Sequence, residues 1–393
     1  MIAINNDDKI SMLKATLPVA EILIIKRDVD LMMKLFNLPA EIRSLFGINF
    51  LPYAALVCYE AINYMDKKGQ HVEVEQTSKY SIREIRNKAK FFDLRFNQIM
   101  QSAFNIDALQ HNDFAQQMRY PELANWNIHD NLGIFFDNDK NIIGNTQYSV
   151  WVFQDESTIK KPLSDMDGFE VQNKEAYTLG FDLGRIANSI SKGLSSVKDF
   201  LLSDVNLKNM TIYANDFNTN RCWVDGIKKY KVIRLLLLHI LSSIGFILNI
   251  VKKCIVRDSG LLLRLEYIIY HSTLKRLRQL NQYVLTHKHE ITDEKIHIFL
   301  SAINFDADSL RNTSFGNCMR HYGLTDEDTN ALIHTEQINL ALPLCGLVES
   351  HFNKSYSEYK SEIEKELFVV YDHLNDYMGF NDLLSIDDDM LAR

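Results

Sequence analysis

Residues 235–251 read LLLLHILSSIGFILNIV, bounded by Arg234 and by Lys252-Lys253, and a chain carrying such a run must sink it in a bilayer or bury it on most sides. A membrane span needs about twenty predominantly apolar residues. This run is shorter, and His239, Ser242, Ser243 and Asn249 interrupt it. The expectation is a central helix of a helical bundle, packed on a second helix near 259–287 and not in a membrane. A composition that is 46% hydrophobic and 24% charged supplies the side chains for that core. At 393 residues, two domains are the simplest division.

Around this helix the sequence changes texture twice. Residues 17–68 read as helices interrupted at Pro39 and Pro52. Segments 133–136, 141–144 and 148–153 gather β-branched and aromatic residues around Asn/Asp/Gly turns, the pattern of a small hairpin or meander. The polar stretch 155–173 reads as a boundary. The expected fold class is therefore mainly α, with a mixed α/β N-terminal module over 1–165 followed by an all-helical bundle over 175–393. Helices are expected near 176–202, 229–253, 259–287, 292–303, 315–322, 326–341 and 353–378, with two strands or an ordered loop over 210–225. The segment 340–350 reads as a buried helix-turn-helix junction.

Function classes are narrowed by what is missing. A formal charge of −8 gives no general attraction to nucleic acid, so any RNA must meet a local basic surface. Five cysteines without a C-x-x-C pair suit a reducing compartment, and the N-terminal MIAINNDDKISMLK has no signal-peptide pattern, so a cytoplasmic location is expected. There is no H-E-x-x-H, no G-x-S-x-G and no glycine-rich phosphate loop. No cofactor and no metal are expected, and His287, His289 and His297 read as a solvated turn.

The chemistry-bearing stretch is 310–324, LRNTSFGNCMRHYGL, which concentrates Arg311, Asn312, Asn317, Arg320 and His321. On a helix, Asn317 and His321 project from one face. An imidazole beside a cation suits metal-free cleavage of an RNA phosphodiester: the ring moves protons, an Arg stabilises the crowded phosphate, and the neighbouring 2′-hydroxyl is the nucleophile.

With Asn317, His321 and Tyr322, the segment resembles the centre of HEPN domains, whose ribonuclease members of this appearance read R-N-x-x-x-H-Y. The position where the family carries Arg is Gly316, so Arg311 or Arg320 is left to supply the cation. The resemblance spans about 229–378. It implies catalytic roles for His321, Asn317, Arg320 and Arg311, an RNA substrate, and a homodimer through the C-terminal bundle. It also implies a toxin–antitoxin or anti-phage defence setting, with a regulatory or antitoxin protein as partner. Gly316 admits three explanations: loss of catalysis to leave a binding module, service by another Arg, or deliberate inactivation. An Arg at 316 is expected to restore the family arrangement at little cost in stability. Arg234 with His239 and Arg264 with His271 also fit the loose Arg-to-His spacing. In structural terms, His321 reads as the end of a short helix capped by Gly323, and Lys275, Arg276 and Arg278 as a solvated basic face. The alternative function is a non-enzymatic helical scaffold for oligomerisation or partner binding.

Overall fold

The computed structural model describes residues 6–37, 40–73, 75–89, 96–117, 131–153, 169–195, 211–219, 228–255, 259–305, 312–324, 340 and 342–379. In chain order the elements are helices α1 (Asn6–Phe36), α2 (Ala40–Lys67), α3 (Ile82–Ala89) and α4 (Phe96–Gln117), strands β1 (Leu132–Phe136) and β2 (Ile142–Asn145), and helices α5 (Thr146–Val152) and α6 (Phe169–Gly193). Strand β3 (Tyr213–Phe217) and helix α7 (Lys228–Gly245) follow, the latter continued by a π-helical turn (Phe246–Val251) and by α8 (Lys252–Cys254). Helices α9 (Gly260–Thr286), α10 (Glu294–Ala302), α11 (Thr313–Arg320), α12 (Pro343–Phe352) and α13 (Tyr356–Met378) complete the order. The fold is mainly α, with one small antiparallel sheet in the order β2-β1-β3.

The 235–251 run lies within one continuous helical segment, and its leucines at 235–238 are buried. Residues 230–254 are long and apolar enough to cross a membrane, yet 83% of the most apolar window is covered by the protein itself. Its chief neighbours are β2, α13 and α4, with the expected partner α9 a lesser one. Contact with β2 is so close that a Cβ on Gly245 would stand 1.9 Å from the Ile142 carbonyl oxygen. Two of the interrupting polar groups find partners inside: Asn145 Nδ2 donates to Ser242 Oγ (2.8 Å), and Ser243 Oγ donates to the His239 carbonyl (2.8 Å). That satisfaction makes their burial tolerable.

Several expectations need correction. Helix α2 runs through Pro52, and α1 through Pro18. A mid-helix proline costs about 3 kcal/mol. Burial of Leu51, Tyr53, Leu56 and Val57 around Pro52, at roughly 1.5–3 kcal/mol per large side chain, outweighs it. Residues 148–152 form part of α5 and not a third strand, because Asn145 ends β2 in an extended conformation and its side chain accepts from Tyr148 N, starting a helix. The second half is not all-helical: β3 lies within 175–393 and pairs with β1 in full register from Leu132↔Phe217 to Phe136↔Tyr213. Among the described residues, one cluster of buried apolar side chains includes members of both expected domain ranges, from Leu17 to Met378. The proposed boundary at 155–173 and the helix at 326–341 fall largely or wholly outside the described residues.

Candidate functional site

Helix α11 is positioned from both ends. Asn312 caps its start by accepting from Phe315 N (3.0 Å), and Tyr267 Oη of α9 donates to the Asn312 carbonyl (3.0 Å). Its far end has His321 as C-cap in an extended conformation (φ −124°, ψ 169°) rather than a Gly323 cap. A buried arginine does the terminating work. Arg264 Nη1 donates to the carbonyls of Cys318 (3.2 Å), Met319 (2.6 Å) and His321 (3.2 Å). These are the orphan acceptors of a helix end, and a cation there also opposes the negative pole of the helix dipole. Arg264 is itself held by Asp28 of α1 through Nε (3.2 Å), while Tyr322 Oη donates to the same carboxylate (3.0 Å) and its ring lies 4.5 Å from the guanidinium.

The segment beyond α11 is pinned by three acids from the first two helices. Glu60 of α2 meets His321, Asp28 meets Tyr322, and Glu21 of α1 accepts from Leu324 N (2.9 Å). Glu60 Oε2 lies 2.7 Å from His321 Nδ1, and Glu60 Oε1 is paired with Arg86 of α3. The Arg86 guanidinium also sits 5.1 Å from the Tyr59 ring centroid. Burial would push the Glu60 carboxyl up, but His321 and Arg86 outweigh it and hold the group below its ordinary value. An ionised carboxylate only accepts, so Nδ1 of His321 carries the proton and Nε2 is left for other chemistry. The geometry suits that division: the Glu60 side chain is 5% exposed and the His321 side chain 49%.

On the other side of α11, Arg320 Nη2 donates to His271 Nδ1 of α9 (3.0 Å). Helix α9 thus touches this end of α11 twice, through Arg264 and through His271. Seven residues separate the two, which places them on one helical face.

Of the residues expected from sequence, His321 and Arg320 stand at this junction, and Asn317, half-buried, accepts the His321 backbone N–H through its carbonyl (2.9 Å). Arg311 lies outside the described residues. Gly316 is buried within α11, not at its start, and a Cβ there would lie 3.0 Å from Tyr267 Oη. A side chain at this position would press on Tyr267, so the small stability cost expected for an Arg here is not what the packing gives. The rival pair Arg234 and His239 is divided: Arg234 pairs with Asp293 (3.7 Å), whereas His239 is buried in the core. The expected basic face is not solvated as a whole, since Arg276 is fully buried and bonds Gln279, and Arg278 bonds the Phe305 carbonyl. Each of His287 and His297 turns a ring nitrogen to a backbone carbonyl, and no cluster of three potential metal ligands occurs among the described residues.

Sequence reasoning missed Glu60, Arg86, Asp28 and Glu21. A signal was present: each acid interrupts an apolar helix, as in LVCYEAINYM and IIKRDVDLMM, where an acid must find a buried partner. No protein-family model, curated protein or solved structure matches the chain.

Proposed function

We propose that the chain is a HEPN-like endoribonuclease that cleaves RNA without a metal, using His321 to exchange protons and Arg320 and Arg86 as local cations. The observation that carries this reading is the half-exposed His321 ring, anchored through Nδ1 to a buried Glu60. A carboxylate in that position fixes the tautomer and ring orientation, leaving Nε2 to act on a hydroxyl. The local cations answer the adverse overall charge of −8. Arg320 takes the part that the family motif gives to the residue at Gly316. The toxin or defence setting, the homodimer and a regulatory partner belong to this reading through the resemblance.

The test is cleavage of a mixed RNA pool in EDTA by the native chain, His321→Ala and Glu60→Gln. Native cleavage is expected, with a loss of about 10²–10⁴ for His321→Ala and a smaller loss for Glu60→Gln. Inert native protein, or equal rates with and without His321, would overturn the reading. A second reading, a non-enzymatic scaffold, is favoured by the three acids that tie 321–324 to α1 and α2. It expects no cleavage and a loss of stability in the same variants.

A further inference from the structure

Helix α6 packs on α1 and α2 and buries Leu179, Leu183, Ile186 and Ile190. On the opposite side Lys174, Tyr177, Phe181, Arg185, Asn188 and Lys192 follow one another at steps of three or four residues. At 3.6 residues per turn these six fall within about 80° of arc. The outer face of such a helix is ordinarily polar throughout. Here Tyr177 is 83% exposed and Phe181 62%, two aromatic rings one turn apart that the core does not use. Cations bracket them: Lys174 and Lys192 are exposed, and the Arg185 guanidinium lies 5.3 Å from the Phe181 ring centroid. No acid lies within the stripe. Glu75 and Asp182 pair with Arg185 from beside it (2.9 and 3.1 Å), and Glu175 turns away to Ser78 Oγ and Lys79 N (both 3.1 Å). The Glu75 side chain is itself largely exposed, so an incoming anion displaces it at little cost.

Aromatic rings with an open face stack bases of any sequence, and cations interleaved with them meet the phosphates. A rise of 1.5 Å per residue sets Tyr177 and Phe181 about 6 Å apart along the axis, room for one base on each ring once a strand is unstacked. From this stripe we propose that the outer face of α6 is a docking surface for single-stranded RNA. Bases stack on Tyr177 and Phe181, and phosphates meet Lys174, Arg185 and Lys192. The choice of RNA over DNA rests on the ribonuclease reading, whereas the surface itself does not involve His321. It supplies the local basic surface that a chain of net charge −8 needs for such a partner. A second copy fits worse, since a two-fold axis through the middle of the stripe sets Lys174 of one copy against Lys192 of the other. Duplex RNA offers no open bases to stack.

Tyr177, Phe181, Lys174 and Lys192 are all exposed, so replacing them leaves the fold intact. The measurement is fluorescence anisotropy of the full chain in EDTA with an unstructured 2′-O-methyl oligoribonucleotide, which has no 2′-hydroxyl to support cleavage. Tyr177→Ala combined with Phe181→Ala should weaken binding about 30-fold or more. Lys174→Gln combined with Lys192→Gln should lower the slope of log affinity against log salt by roughly 0.7 for each lysine. The aromatic pair should make no difference to the same strand annealed to its complement. No binding by the native chain, or equal binding by the aromatic variant, would overturn the proposal. Tighter binding of the DNA strand of the same sequence would overturn it as an RNA surface. Self-association that the aromatic variant abolishes, without RNA binding, would give the face to a second copy instead. Binding is read without cleavage, so stripe-dependent binding by a chain that cuts no RNA would uphold the surface and overturn only the ribonuclease reading. Native cleavage with binding indifferent to the stripe would do the reverse.

Discussion

Gly316 and Arg264 carry opposite lessons at the scale of single residues. The first stands where a family motif would hold a cation, yet its Cα faces the buried Tyr267 ring. Gly316→Ala should cost about 1–3 kcal/mol through overpacking, and Gly316→Arg more, because a charge is forced into the same interface. Urea midpoints check this, and an Arg variant as stable as the native chain would contradict the packing described. Arg264 looked like one half of a chance motif. It is instead the clamp on the end of α11, with side-chain exposure of 3% against 2% for its partner Asp28. Arg264→Ala strands that carboxylate and three helix-end carbonyls, so a loss of about 3–5 kcal/mol is expected from denaturant unfolding. A loss below about 1 kcal/mol would mean that water replaces the clamp.

At the scale of elements, α7 and its continuation bind the sheet to the helices, and two of its residues can be tested separately. Gly245→Ala would drive a Cβ into the Ile142 backbone, and the variant should fail to reach the native state by circular dichroism and near-ultraviolet signals. His239 gives a pH signature. Burial pushes its imidazole from 6.5 down to about 3, so the unfolded chain takes up this proton first as the medium is acidified. The stability concerned is complete above pH 6.5 and is lost progressively toward pH 3. At pH 4.5 the loss from His239 is about 2–3 kcal/mol, opposed by Glu266, whose carboxyl burial raises to about 7. His239→Leu should therefore be more stable relative to the native chain at pH 4.5 than at pH 6.5 by about that 2–3 kcal/mol. Glu60, held below its ordinary value, adds its own loss only in more acidic medium. An unchanged slope in His239→Leu would refute the assignment.

The same element shows how far the sequence could be read. An apolar run with few polar breaks dictated a buried helix, and the spacing of Leu179, Leu183, Ile186 and Ile190 dictated α6; both are present. Period alone could not say which neighbours cover α7, because a helix apolar around most of its circumference accepts partners on any side. Strand against helix at 148–152 was decided by one cap residue, Asn145, whose effect is local and outweighs the β propensity of Tyr148, Val150 and Trp151.

Across the whole molecule, the junction at His321 draws on α1, α2, α3, α9 and α11. The motif end was legible because its polar residues are adjacent in sequence. Its partners were not: Glu60 lies 261 residues away and Asp28 lies 294 from Tyr322, and pairing over such separations is fixed by packing that no local pattern records. Since β3 pairs with β1 and described residues of both halves share one apolar cluster, the unfolding of sheet and bundle should coincide when followed by Trp151 fluorescence, with Trp126 and Trp223 replaced by Phe, and by helical circular dichroism. Two separated transitions would contradict a shared core.

The central claim is that His321, held by Glu60, exchanges protons in metal-free cleavage next to a 2′-hydroxyl. End-group analysis of a single ribo-oligonucleotide incubated in EDTA tests it most directly, with the native chain and His321→Ala side by side. The account predicts 2′,3′-cyclic phosphate and 5′-hydroxyl ends from the native chain, reduced about 10²–10⁴ by the substitution. Ends bearing a 3′-hydroxyl and 5′-phosphate, the same ends at the same rate without His321, or no cleavage at all would contradict it.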